Sequence, residues 1–262
     1  MTDWVTEIRA GKRRALARFL TMVERNVEEA DGGLAALHRF TGSARVIGIT
    51  GAPGTGKSTL VAVLAKAYRA NEQTVAILAV DPTSPYSGGA VLGDRIRMQA
   101  LSGDPGVFVR SAATRGSLGG LARSTRDMIH VLDAAGYDKV LVETVGAGQS
   151  EVDIMALAQT TLVVDAPGLG DGVQAIKAGI LEIADILVVN KADLPGAANT
   201  VRSLRSMLDL GHPSKMVLAG HHGVGATQQT SSLEAAPPMW EVPILETVAT
   251  TGTGIDDLVQ AV

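Results

Sequence analysis

The chain has 262 residues, 46% of them hydrophobic, which is enough to bury the core of one large α/β domain. A net charge of −4 and a pI of about 5.7 favour neither nucleic acid nor an anionic membrane as the main partner. The absence of cysteine excludes disulfides and thiolate metal sites. Without an apolar signal core or a membrane-length apolar run, the sequence predicts a cytoplasmic protein.

The first part of the chain predicts a helical extension, residues 1–42, ahead of one domain over residues 43–262. Helical patterns cover residues 2–40, and the stretch Asp31-Gly32-Gly33 is expected to separate two helices. The basic run GKRRALAR, residues 11–18, has apolar neighbours at helical spacing. It is therefore interpreted as the solvated face of an amphipathic helix rather than as a patch for RNA or lipid.

From Arg45 onward, short β-branched runs alternate with helical segments. This alternation predicts an α/β fold, a P-loop NTPase with a mainly parallel central sheet covered by helices on both faces. Functional residues are then expected at the carboxyl ends of the strands. The runs are RVIGIT, TVAILAV, GVFVRSA, KVLVETV, TLVVDAP, DILVVNK and PILETVA.

A phosphate-binding motif follows the first of these runs. The pattern G-x-x-x-x-G-K-[ST] lies within GAPGTGKST, and a helix follows it. The glycines allow a tight loop whose N–H groups surround a β-phosphate, Lys57 supplies a positive charge, and the Ser58 hydroxyl is expected to bind Mg²⁺. The predicted nucleotide contacts here are Gly51, Ala52, Pro53, Gly54, Thr55, Gly56, Lys57, Ser58 and Thr59.

Two acidic residues flank the long segment after the second strand, DPTSPYSGGAVLGDRIRM. Asp81 ends the strand and Asp94 precedes a helix. Either could coordinate a metal ion or its waters beside a triphosphate. Alternatively, Asp81 could place the attacking water and Asp94 could cap its helix.

The stretch ETVGAGQSE follows the fourth strand. Glu143 is expected to face Mg²⁺ or its waters, and the Gly146 N–H to contact the γ-phosphate; with Lys57 and Asp81 they form the predicted catalytic set. Ala147 stands where Ras-like proteins carry the glutamine that orients water, so hydrolysis without a partner is expected to be slow. Gln149 is either a substitute for that glutamine or an ordinary residue at a helix start.

Base specificity is predicted from Asn190-Lys191-Ala192-Asp193, an N-K-x-D pattern after a strand. The Asp193 carboxylate can accept both N1–H and the N2 amine of guanine, whereas adenine would leave it unpaired. Lys191 would lie along the base, and Asn190 would join neighbouring loops. In the later turn Val248-Ala249-Thr250, the Ala249 N–H is expected to reach guanine O6.

Taken in order, GAPGTGKST, DPTSPYSGGAVLGDRIRM, ETVGAGQSE, APGLGDGVQAIKAGILEIAD and NKAD closely resemble the MeaB/ArgK-type GTPases of the SIMIBI class. The resemblance implies GTP and GDP as ligands, Mg²⁺ as cofactor, and an adenosylcobalamin-dependent acyl-CoA mutase as partner, which the GTPase supplies with cobalamin and protects. Methylmalonyl-CoA mutase is the commonest client, and isobutyryl-CoA and 2-hydroxyisobutyryl-CoA mutases are alternatives.

The resemblance also implies an additional switch loop in PGLGDGVQAIK, with Asp171 and Lys177 signalling to the mutase. From the residues alone, Asp171 would be a carboxylate at a helix start and Lys177 a surface charge. Family members usually continue past GTGIDDL into a helical dimerisation arm, whereas this sequence stops at Val262. A homodimer is therefore left open.

Two other functions share the phosphate motif. A nickel- or cobalt-insertion GTPase would usually show cysteine or histidine motifs, but the chain has no cysteine, and its His221-His222 pair lies in a polar segment. A P-loop kinase is disfavoured by NKAD and by the lack of an acceptor-binding signature.

Overall fold

The computed structural model describes residues 3–81, 101, 103–113, 118–144, 149–169, 182–211 and 241–262. Within them, seven strands form one sheet in the order β3-β2-β4-β1-β5-β6-β7, and every pairing is parallel. The strands are β1 (Arg45–Thr50), β2 (Val75–Asp81), β3 (Val107–Ala113), β4 (Lys139–Thr144), β5 (Thr160–Asp165), β6 (Ile186–Asn190) and β7 (Ile244–Thr247).

Helices connect the strands and precede the sheet. They are α1 (Trp4–Arg9), α2 (Arg13–Glu24), α3 (Asp31–His38), α4 (Lys57–Ala70), α5 (Leu118–Ala134), α6 (Gln149–Met155), α7 (Ala197–Gly211) and α8 (Ile255–Ala261), with a short 3₁₀ helix at Glu28–Ala30. Each of the seven β-branched runs overlaps one strand of the sheet, which confirms the α/β prediction.

The central strands are apolar on both faces because helices cover both faces. On one face, α4 and α8 pack through Leu60, Leu64 and Leu258. The opposite face carries α2 and α5 over one part of the sheet and α7 over another. The connection from β1 runs to β2 on one side, whereas the connection from β5 runs to β6 on the other. These opposite directions open a crevice at the carboxyl ends of β1 and β5.

Helix α2 is amphipathic, in agreement with the interpretation of the basic run. It buries Ala15, Leu16, Phe19, Leu20 and Val23. Two charges of the run have internal partners: Arg13 donates to the Val107 carbonyl oxygen, and Lys12 donates to Glu7 at 2.9 Å. Both of these basic side chains therefore have partners within the chain.

The prediction of a helix break at residues 31–33 was wrong. Helix α3 begins at Asp31, so both glycines lie in its first turns, and the chain turns earlier, at Asn26, whose φ is 51°. A methyl group on Gly33 would lie 2.7 Å from the Phe19 ring. Close packing of α3 on α2 therefore outweighs the weak helix propensity of glycine.

The segment before β1 is anchored by one buried carboxylate. Asp133, in α5, accepts the N–H groups of Gly42 at 2.6 Å, Ser43 at 3.2 Å and Ala44 at 2.9 Å. Three backbone donors are thereby satisfied, and the start of β1 is fixed to α5. None of the described helices combines the length and hydropathy that crossing a membrane requires.

Candidate nucleotide-binding site

The phosphate loop, residues 51–56, leads from β1 into α4 at the crevice. At two positions of the loop, both the backbone conformation and the lack of space for a side chain require glycine. Gly51 has a φ of 140°, and a methyl group there would overlap the Val164 carbonyl oxygen. Gly56 has a φ of 92°, and a methyl group there would lie 2.5 Å from Asn190 Nδ2. The loop is therefore packed directly against the ends of β5 and β6.

Lys57 begins α4 and is only 7% exposed. Its Nζ donates to the carbonyl oxygens of Gly51 at 2.8 Å and Ala52 at 3.0 Å. The ammonium group is thus held at the loop beside the N–H groups of the first turn of α4. Positive charge and helix dipole act together there, which is the arrangement that favours a phosphate group.

Ser58 and Glu143, 85 residues apart, are brought together beside the phosphate loop. The Ser58 hydroxyl donates to Glu143 Oε1 at 2.6 Å, and both side chains are buried. Hydroxyl and carboxylate oxygens are the hard donors that Mg²⁺ prefers. Among the described residues, no cluster of three or more histidine, cysteine or acidic side chains could hold a metal ion.

The remaining acidic candidates are only partly located. Asp81 ends β2, which pairs with β4 so that Val80 lies opposite Thr144. Its backbone is therefore at the same edge of the sheet as Glu143. Asp94 and Gly146, and likewise Asp171 and Lys177, lie outside the described residues. Gln149 is the first residue of α6.

Asn190 joins three segments of the site. Its Nδ2 donates to the Thr55 carbonyl oxygen at 2.8 Å, and its Oδ1 accepts from Thr247 Oγ1 at 3.2 Å and from the Ala249 N–H at 3.1 Å. The side chain is 2% exposed. One amide therefore connects the phosphate loop to the end of β7.

Lys191 makes a second connection to the phosphate loop. Its backbone is left-handed, with a φ of 57°, and its Nζ donates to the Gly54 carbonyl oxygen at 2.8 Å. Lys191 also lines an adjoining cleft of about 220 Å³. This volume suits a base rather than a complete drug-sized ligand, which needs about 300 Å³ or more. The lining residues are Gly56, Thr59, Asn190, Lys191, Asp193, Leu194, Val248, Ala249 and Thr250.

The cleft differs from expectation at Ala249. Its N–H was expected to reach guanine O6, but it donates to Asn190 Oδ1. Contact with O6 stays a prediction, and it requires that this donor be shared. Leu194, which is 43% exposed, lines the cleft and was not singled out from the sequence. Its place directly after NKAD was the available signal.

Asp165 was also not among the candidate site residues chosen from the sequence. It ends β5 within the crevice, is 3% exposed, and accepts the Ala166 N–H at 2.8 Å. Burial raises the pKa of the Asp165 carboxyl, and the Ala166 hydrogen bond opposes that rise. The only signal in the sequence that could have indicated Asp165 was its position directly after the apolar run TLVV.

Comparison with known proteins agrees with this geometry. The family model described as "Methylmalonyl Co-A mutase-associated GTPase MeaB" matches residues 16–262. A Pyrococcus horikoshii protein named as a GTPase is 49% identical over 98% of this chain and 74% of its own length. The Caenorhabditis elegans protein named "Methylmalonic aciduria type A homolog, mitochondrial" is 35% identical over 79% of this chain, and the match covers 58% of that protein.

Among solved structures, a "LAO/AO transport system kinase" superposes with a TM-score of 0.71 at 25% sequence identity, covering 99% of this chain and 72% of the other. The same P-loop architecture thus extends over essentially the whole chain. Together with the family match and the phosphate and base loops, this likeness assigns the protein to the MeaB family of GTPases, which bind guanine nucleotide and hydrolyse GTP.

Proposed function

We propose that the chain uses GTP binding and hydrolysis to control delivery of adenosylcobalamin to an acyl-CoA mutase and to protect that mutase. The observation that carries the nucleotide part is the direct connection of phosphate and base loops by Asn190 and Lys191. Support for the mutase part comes from the description of the matching family and from the name of the C. elegans relative.

In this proposal the phosphate loop binds the phosphates of GTP. Residues 51–59 surround them with backbone N–H groups, and Lys57, whose Nζ is held at the loop, supplies a positive charge. Gly146 would donate its N–H to the γ-phosphate. Lys57, Asp81, Glu143 and Gly146 form the proposed catalytic set.

The donor set at Ser58 fits Mg²⁺. A buried hydroxyl and a buried carboxylate meet at 2.6 Å, and both offer hard oxygen ligands. Ser58 and Glu143 would hold the ion directly or through its waters, with Asp81 and Asp94 as further proposed ligands. When bound, Mg²⁺ would neutralise charge on the transferring phosphoryl group.

The cleft beside the phosphate loop would take the guanine base. Asp193 would accept N1–H and N2–H, Lys191 would pack its stem on the ring, and Asn190 would keep the two loops in register. Val248, Ala249 and Thr250 complete the proposed base contacts. GTP is favoured over ATP because adenine would leave the Asp193 carboxylate covered and unpaired.

Hydrolysis by the isolated protein is proposed to be slow. Ala147 has no side-chain amide with which to orient water, so the missing group must come from elsewhere in the chain or from the partner. Single-turnover hydrolysis measured with and without the mutase tests this. Fast hydrolysis by the protein alone would contradict it.

Asp171 and Lys177 are the residues proposed to transmit nucleotide state to the mutase. A mutase that binds the GTP-bound and GDP-bound forms unequally must change the affinity for GTP relative to that for GDP by the same factor, typically about 5- to 150-fold. We would measure GTP and GDP affinities with and without methylmalonyl-CoA mutase, for the wild type, Asp171→Ala and Lys177→Ala. The same measurements with isobutyryl-CoA and 2-hydroxyisobutyryl-CoA mutases would identify which mutase is the client.

Two matched variants control this experiment. Lys66→Ala and Asp257→Ala each remove one exposed charge from the nucleotide domain and should leave the coupling unchanged. Lys57→Ala should lose nucleotide binding itself. Coupling that survives in both Asp171→Ala and Lys177→Ala would reject the signalling role, and absence of coupling to every mutase tested would reject the proposed partner.

A further inference from the structure

The end of β5 lies against the first glycine of the phosphate loop. A side chain on Gly51 would overlap the Val164 carbonyl oxygen, so the two backbones are in direct contact. The pairing of Thr50 with Val163 brings the end of β1 and the end of β5 to the same level of the sheet. A shift of the last residues of β5 must therefore be felt at the start of the phosphate loop.

The four residues after this strand, 166–169, are here named the β5 turn. It reaches both nucleotide loops: a methyl group on Gly54 would lie 3.7 Å from Leu169 Cδ2, and one on Gly196 would lie 3.9 Å from Pro167 Cβ. Gly54 belongs to the phosphate loop, and Gly196 follows the base motif. The β5 turn thus lies between the part of the site that binds phosphate and the part that binds the base.

Asp165 sets the corner at which the β5 turn begins. Its Oδ1 accepts the N–H of Ala166, the first residue of the turn, at 2.8 Å. On the same face of β5, Val163 packs in an apolar cluster with Val189 and Leu204, so the carboxylate lies at the top of an apolar layer. Among the described residues, no cation forms an ion pair with it. A buried carboxylate in such surroundings is unfavourable for folding alone.

We propose that Asp165 is a positioning residue for the phosphate loop, holding the corner of the β5 turn against Gly51 and Gly54. It does not contact the nucleotide. It acts by fixing the backbone against which the loop is packed, and the proposal rests on the phosphate-binding role proposed for residues 51–59. Removing the acceptor should therefore weaken binding of nucleotides with a β-phosphate more than binding of GMP.

The chain offers a matched control on the same strand. Asp185 Oδ2 accepts the Thr161 N–H at 2.7 Å, near the start of β5. Ala166 lies five positions after Thr161, about 16 Å along an extended strand. Asp165→Leu and Asp185→Leu each remove a carboxylate that accepts a backbone N–H at one end of β5, but only the first lies beside the phosphate loop.

The experiment measures GTP, GDP and GMP affinities by titration calorimetry for the wild type, Asp165→Leu, Asp165→Asn, Asp185→Leu and Lys57→Ala. Circular dichroism confirms that each variant is folded at the temperature used. Asp165→Leu should lose at least about tenfold in GTP and GDP affinity, or about 1.4 kcal/mol, and less for GMP. Asp165→Asn retains an acceptor oxygen and should restore most of the affinity, and Asp185→Leu should bind within about twofold of the wild type.

Three results would overturn the proposal. Equal losses in Asp165→Leu and Asp185→Leu would show a general effect of weakening β5. An Asp165→Asn variant as impaired as Asp165→Leu would show that the acceptor is not what matters. Normal affinities in Asp165→Leu, together with lost binding in Lys57→Ala, would reject the positioning role of Asp165 but not the phosphate site. Unchanged binding in Lys57→Ala would instead reject the phosphate site itself.

Discussion

The two ends of the central sheet use polar side chains differently. At the amino end, side chains complete the hydrogen bonding of strand starts: Asp138 accepts both donors of Thr74, and Gln159 accepts the Val46 N–H. At the carboxyl end, buried polar groups hold loops instead, as Asn190 does with the Thr55 carbonyl oxygen. The role of a polar group in this sheet therefore depends on whether it completes a strand or shapes a loop.

This comparison predicts that changes at the carboxyl end alter ligand binding more than stability, and that changes away from it do the reverse. The largest effect is expected for Asp193→Asn. Loss of the carboxylate removes the acceptor for guanine N1–H and N2–H, so discrimination of GTP from ATP should fall by up to about 10⁴-fold. Competition titrations with Mg²⁺ present measure the ratio.

The control for Asp193→Asn is a nucleotide that this variant should bind better than the wild type does. Xanthine carries a carbonyl oxygen where guanine carries its N2 amine, and the side-chain amide introduced by Asp193→Asn could donate to it. XTP should therefore bind this variant better than it binds the wild type. The thermal midpoint should change little because Asp193 is exposed. Wild-type protein that binds ATP as tightly as GTP would remove the basis of the argument.

Phe19→Ala, in the helical extension, tests the prediction that changes away from the carboxyl end alter stability more than ligand binding. Phe19 is fully buried, its ring lies 5.5 Å from that of Trp4, and it fills the space left by Gly33. Its truncation should lower the free energy of unfolding by about 3–5 kcal/mol. Guanine-nucleotide affinity should stay within about twofold of wild type wherever the variant is folded.

Urea unfolding and nucleotide titration, performed on the same samples, check both halves of this prediction. Arg14→Ala, an exposed change on the same helix, should leave stability and affinity unaltered. A folded Phe19→Ala protein with strongly reduced GDP affinity would show that the extension contributes to the nucleotide site. Effects on stability and effects on binding would then not be separate.

What the sequence predicted depended on how local the determining interactions are. The β-branched runs predicted all seven strands because strands buried on both faces need apolar residues at nearly every position. The phosphate loop was recognisable because its tight turn gives Gly51 and Gly56 positive φ values, 140° and 92°, which favour glycine. These requirements act within a few residues of chain.

The features that escaped prediction depend on distant contacts. Helix α3 begins at Asp31 because Phe19, from another helix, packs against Gly33. The Ala249 N–H meets Asn190 because β6 and β7 pair with Asn190 opposite Thr247. Neither partner is near in sequence, so neither contact leaves a periodic pattern.

The smallest effect is expected from a pair of carboxylates, one at each end of the sheet. Burial raises the pKa of Asp165 at the carboxyl end, whereas the hydrogen bond from the Thr74 N–H lowers the pKa of Asp138 at the amino end. The two groups should therefore give opposite dependences of stability on pH.

For Asp165, the folded protein binds a proton more readily than the unfolded chain. Its destabilising effect is absent well below the unfolded pKa of about 3.9, grows as pH rises, and is complete above the raised folded pKa. Asp165→Asn cannot ionise, so it should be more stable than wild type at neutral pH, and this advantage should shrink in acid.

For Asp138 the sign reverses: its stabilisation is present above about pH 3.9 and is lost as pH falls through the lowered folded pKa. Asp138→Asn should then be less stable than wild type at neutral pH, with the difference fading in acid. Urea unfolding of the wild type and the two variants, from pH 7 down to about pH 2.5 or to the lowest pH at which they stay folded, measures both trends. If Asp165→Asn lowered stability at neutral pH as Asp138→Asn does, the carboxylate at the end of β5 would be a stabilising cap like those at the amino end, and the distinction between the two ends would fail at that residue.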